Sequence, residues 1–101
     1  MPAVRVDLPA PLRRLASISG HEVTLDLAAA VTLEAVIREL EVRYPALRGA
    51  ILDHHTQQRR PFLRFFALNE DISLQPLDAP LPSAIADGSE PLLIIAGIAG
   101  G

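Results

Sequence analysis

Val4, Val6 and Leu8 alternate with Arg5 and Asp7, the two-residue period of a half-buried strand. Pro9 and Pro11 are read as its end. Alternation resumes at Val23, Leu25 and Leu27, which predicts an antiparallel partner reached through a wide loop containing Ser17, Ser19 and Gly20. Leu33, Val36, Ile37, Leu40 and Tyr44 then recur at helical spacing as one apolar stripe, with Thr32 placed to cap the first turn and Pro45 to stop the last. Glu34 with Arg38 and Glu39 with Arg43 are i,i+4 pairs in the favourable order, each worth about 0.2–0.5 kcal/mol on the exposed side.

Past the helix the pattern weakens. Arg48 to Pro61 reads as a polar loop around Asp53-His54-His55 and Arg59-Arg60, with a short helical turn at Ala50 to Leu52. Phe62 to Leu68 is a third strand with two apolar faces: Leu63, Phe65 and Ala67 on one, and Phe62, Phe66 and Leu68 with Arg64 on the other. The alternation alone does not say which face is buried. Asn69 to Asp71 is read as a turn, Ile72 to Leu74 as a short edge strand, and Pro76 to Ala86 as a proline-punctuated connection. Asp87-Gly88 gives a tight turn into a last strand, Leu92 to Ile95. The order predicts an α+β fold in which a mixed sheet of four to five strands is crossed by one main helix.

Composition then narrows the chemistry. At 101 residues the chain can bury one core without disulfides or metals, and with 4% aromatic residues that core is Leu, Ile, Val and Ala. A net charge of -3 argues against nucleic acid as a partner. The longest apolar run, Leu92 to Ala99, is far short of the roughly 20 residues of a membrane helix, and the first residues lack a signal-peptide core, so a soluble cytoplasmic protein is expected.

The chain has no Cys, which removes disulfides, thiolate metal sites and a cysteine nucleophile. All nine basic residues are Arg, so there is no Lys for a Schiff base or an isopeptide bond. Adjacent His54 and His55 diverge in most backbones and His21 is distant in sequence; no metal is expected. Asp87 and Glu90 read more simply as turn residues than as an acid/base couple, and no Ser stands in a nucleophile elbow. No catalytic residue is expected. The Arg13-Arg14 and Arg59-Arg60 pairs are solvated loop charges, or else face an acidic partner.

The informative segment is the end. The apolar strand runs out through Gly97, Ile98, Ala99, Gly100 and Gly101, and two closing glycines let backbone pass where a side chain would collide. This divides the chain into a domain over 1–96 and a flexible tail over 97–101, with the Gly101 α-carboxylate as the candidate reactive group. The plainer alternative is a frayed terminus.

These features together resemble the ubiquitin-like β-grasp sulfur carriers, the family that includes the small subunit of molybdopterin synthase and the thiamine and cysteine sulfur carriers. The resemblance rests on Val6-Asp7-Leu8-Pro9-Ala10-Pro11-Leu12-Arg13, Thr32-Leu33, Asn69-Glu70-Asp71-Ile72, Ala84-Ile85-Ala86-Asp87-Gly88 and the closing Ile94 to Gly101. Its most specific part is a Gly-Gly end on an apolar strand that follows Asp-Gly by about a dozen residues. The family usually has Pro-Ala where Ala96-Gly97 stands, which predicts a freer tail root here.

The resemblance implies a β-grasp fold and a protein cosubstrate with no bound cofactor. An E1-like adenylating enzyme would use ATP to activate Gly101, a sulfur donor would convert the acyl-adenylate to a thiocarboxylate, and a sulfur-accepting synthase would take the sulfur. It also implies that the Leu93 and Ile95 side of the sheet is left open to partners, with Phe65 expected beside them. Molybdopterin, thiamine and cysteine biosynthesis all stay open as destinations, with chain length leaning toward the cysteine carriers. Two alternatives come from other classes: a ubiquitin-like modifier joined through Gly101 to target lysines, and a non-catalytic β-grasp interaction module.

Overall fold

The structure, a computed structural model, describes residues 3–27 and 30–97. Five strands form one mixed sheet: β1 (Val4–Asp7), β2 (Glu22–Leu25), β3 (Leu63–Ala67), β4 (Glu70–Asp71) and β5 (Leu92–Ala96). Three helices accompany them: α1 (Ala10–Leu15), α2 (Leu33–Arg43) and the single turn α3 (Ser83–Ala86). Spatially the strands run β2-β1-β5-β3-β4. β1 lies antiparallel to β2 and parallel to β5, while β3 is antiparallel to both β5 and β4. Chain start and chain end therefore share the middle of the sheet.

The helix α2 forms where its pattern predicts. Thr32 stands in extended geometry and its hydroxyl accepts the Ala35 N–H at 3.1 Å, satisfying one of the donors that a first turn leaves free. Leu33, Val36, Ile37 and Leu40 are all buried, and they face the sheet across a core shared with Val4, Val6, Leu25, Phe65, Leu92 and Ile94. Pro45 opens a 3-10 turn, Pro45–Leu47, that drops Leu47 into the same core. The short helical turn expected over 50–52 thus falls a few residues earlier.

Two elements depart from the sequence expectation for identifiable reasons. Pro9 and Pro11 end β1, but they also start α1 rather than a loop. A proline in a first helical turn forfeits an N–H that has no intrahelical acceptor in any case, and Leu12 is buried as a result. The edge strand is Glu70–Asp71, not Ile72 to Leu74. Leu68 and Asn69 both take positive φ, 53° and 67°, closing a two-residue hairpin of the primed type. A leucine in that conformation carries no sequence signal, so the edge strand is read two residues late. Ile72 is instead a core residue whose N–H reaches the Phe65 carbonyl at 2.8 Å.

The Asp87-Gly88 turn is pinned from two sides. Asp87 Oδ1 accepts from the Ser89 N–H at 2.8 Å, and the Arg5 guanidinium donates to the Gly88 carbonyl at 3.0 Å. Gly88 has φ of +83°, and a Cβ there would run into the Ala3 carbonyl oxygen. Gly88→Ala is expected to destabilise the fold by about 2 kcal/mol or more, combining a left-handed backbone with a backbone collision. Urea unfolding checks this as a lower midpoint at unchanged slope.

Candidate functional site

Residues that are cross-strand partners share a face of the sheet, so the register sorts each strand without ambiguity. Phe65 is opposite Ile94 and Leu63 opposite Ala96; Leu63, Phe65 and Ile94 are buried on the helix side. Arg64 is opposite Ile95, and Phe66 opposite Leu93. These four make the outer face. Leu93 and Phe66 are half-buried there, and Ile95 is 42% exposed.

The row continues one step past the strand ends. The Gly97 N–H donates to the Phe62 carbonyl, extending the β3–β5 ladder by one residue, and Phe62 is 49% exposed. An apolar strip thus runs from Phe66 and Leu93, past Ile95, to Phe62 at the point where the chain leaves the sheet. Gly97, the first residue of the expected tail, is thus hydrogen-bonded to the residue before β3. Ile98, Ala99, Gly100 and Gly101 lie outside the described residues.

Charges frame the strip. Arg64 lies between its two apolar ends and pairs with Asp71 on β4 at 3.4 Å. The Ser73 hydroxyl and N–H hold the Asp71 carboxyl below its ordinary range, with Arg64 and Arg59 adding to the effect. On the far side Asp7 faces Leu93 and Glu22. Arg5 bonds to Glu22 at 3.0 Å, lowering that carboxyl's pKa and raising its own. The centre of such a strip could be desolvated by a protein partner while its charged rim stays wet.

One expected partner residue is corrected. Phe65 is 0% exposed and belongs to the core, so it offers no surface beside Leu93 and Ile95. Phe62, Arg64 and Phe66 occupy the place assigned to it. The signal was in the sequence: the one charge in the strand, Arg64, marks the solvent face, and its i±2 neighbours go with it.

The polar loop carries no assembled chemistry. Asp53 Oδ1 accepts from the His55 and Thr56 N–H groups, which lower its pKa, and Oδ2 accepts from Arg60 at 3.1 Å. This aspartate shapes a turn, and His54 and His55 are exposed on it. Among the described residues no group of three or more His, Asp or Glu could hold a metal ion, and no helix is long and apolar enough to cross a membrane.

No protein-family model matches the sequence, and no curated protein matches it significantly. Solved structures do. CysO of Mycobacterium tuberculosis, described as an antigen, is 26% identical with a TM-score of 0.71, covering 94% of this chain and 99% of that one. A chain of the BexX/CysO complex of Amycolatopsis orientalis is 22% identical with a TM-score of 0.71, over 98% and 100%. SAMP1 of Haloferax volcanii, a small archaeal modifier protein, is 17% identical with a TM-score of 0.72, over 98% and 99%.

Proposed function

We propose that this chain, a β-grasp protein of the ubiquitin-like sulfur-carrier and modifier type, is a cytoplasmic sulfur carrier whose reactive group is the Gly101 carboxylate. An E1-like partner joins that carboxylate to the α-phosphate of ATP, releasing pyrophosphate. A sulfur donor then displaces AMP to leave a thiocarboxylate, and a synthase accepts the sulfur. The carboxylate is already ionised at neutral pH, its reference pKa being about 3.5, so the first step needs positioning and no base from the carrier. The carrier itself binds no cofactor and contributes no acid, base or metal.

The observation that supports this reading most is the placement of Gly97. It leaves the sheet at the end of the outer row Leu93, Ile95, next to exposed Phe62, so a partner seated on the apolar strip meets the departing chain at its rim. Four residues remain beyond Gly97, an extended reach of about 13–14 Å at roughly 3.3–3.6 Å each. The partner's adenylation site accordingly lies within that radius of Gly97.

A second reading shares the first step. The likeness to proteins named as small archaeal modifiers favours a modifier, in which a target amine and not sulfur displaces AMP. With no Lys among its nine basic residues, the chain would be attached to targets in single copies, since no ε-amine of one copy can accept another. The two readings separate by intact mass after incubation with ATP, a cognate adenylating enzyme and a sulfur source. A gain equal to sulfur replacing oxygen is the expected result. Larger conjugates would select the modifier, and an unchanged mass would leave only an interaction module.

A further inference from the structure

We infer that Arg59 is a positioning residue for the reactive terminus, holding from one side the stretch of backbone that the tail root grips from the other. Arg59 belongs to a loop, but its backbone is fixed: it forms an antiparallel bridge to Leu52, and the neighbouring Arg60 N–H reaches the Ile51 carbonyl at 2.9 Å. From that base the side chain lies along the start of β3. Its Nη1 donates to the Leu63 carbonyl at 2.6 Å and contacts the Arg60 and Pro61 carbonyls at 3.3 Å each. Its Nε is sealed from solvent with no partner.

The pairing pattern shows what these contacts replace. In β3 the odd-numbered residues turn their backbone polar groups away from β5. Phe65 finds Ile72 N–H and the Ser73 hydroxyl, and the Leu63 N–H reaches the Arg60 carbonyl at 3.0 Å. β4 is too short to reach the Leu63 carbonyl, and the Arg59 guanidinium takes the position a strand neighbour would fill. Pro61 and Leu63 flank Phe62, so both carbonyls on either side of Phe62 accept from Arg59. The Phe62 carbonyl itself, directed to the other side, accepts the Gly97 N–H. Arg59 therefore braces the one acceptor that fixes where the tail departs. Three carbonyls share the two N–H groups of one Nη, so at least one of these contacts is bifurcated. A buried donor left unmatched at Nε is the cost of that seat.

The inference has its own structural readout and meets the carrier reading only in its kinetic consequence. In Arg59→Ala, amide hydrogen exchange at Gly97 is expected to quicken at least ten-fold, while the Leu8 N–H, bonded to His21 across the sheet, keeps its protection. With the cognate adenylating enzyme, kcat is expected to fall about ten-fold at unchanged KM for the carrier, because the docking strip is intact and only the aim is lost. Unchanged Gly97 exchange, or equal acceleration at Gly97 and Leu8, would overturn the assignment. Should Arg59→Ala not fold, Arg59→Met carries the same comparison, since it keeps an unbranched apolar stem and removes the Nη1 donor. If the wild-type chain is not adenylated at all, the carrier reading fails while the exchange result still decides the role of Arg59.

Discussion

Deleting Gly100 and Gly101 is expected to abolish adenylation and thiocarboxylation while leaving the unfolding transition of the domain unmoved. The shortened chain still ends in a carboxylate, on Ala99, and it still has the whole sheet. What it loses is about 7 Å of reach, at roughly 3.3–3.6 Å per residue, and a terminus without side chains. A misplacement of about 1 Å in a reacting group already lowers a rate by on the order of a hundred-fold, so two residues remove the reaction to below detection. Intact mass reports the modification and calorimetry reports the fold. Sulfur incorporation by the truncated chain would end the proposal that Gly101 is the reactant.

A second large effect comes from opposite faces of the same strands. Phe65 has no exposed surface and sits among α2 and the sheet, so Phe65→Ala is expected to destabilise by about 3–5 kcal/mol. That is a large share of the roughly 5–15 kcal/mol that holds a domain together, and Tm should fall by more than about 10 °C. Ile95→Asp, one strand away, places a charge on a side chain already 42% exposed and should change stability by less than about 1 kcal/mol. Its effect falls on the partner: burying an unpaired carboxylate in the middle of the strip should weaken docking by about 2 kcal/mol or more, roughly 30-fold. Urea titration and binding to the adenylating enzyme, run on both variants, should give a crossed pattern. Equal loss of fold and binding in Ile95→Asp would mean that the strip is structural.

These contrasts also measure how much was legible beforehand. α2 could be read to the residue because its cap, its stripe and its proline stop agree with one another, and agreement among local signals is what fixes an element. The final strand was legible from its apolar run after the Asp87-Gly88 turn, whereas its exposed side was expected from the family resemblance and from no local signal. The faces of β3 were harder to assign, because aromatic residues stand on both and periodicity alone cannot separate them; only Arg64 marks the outer one. α1 hid behind two prolines that serve both to end a strand and to open a helix. Arg59 could not be found from sequence at all. Its role depends on a strand partner being absent, and that absence exists only once β3 and β4 are paired.

The central place of β5 bears on how a copy of the molecule comes into being. β1–β2 and β3–β4 are two separate hairpins until residues 92–96 are laid between them, joining one in parallel and the other antiparallel. Sequence-distant pairing of this kind closes late. The sheet, the core beneath it and the outer apolar strip are therefore completed only by the strand that leads into the tail. A nascent or prematurely stopped chain lacking residues 92–96 has neither the joined sheet nor its Leu93 and Ile95 face.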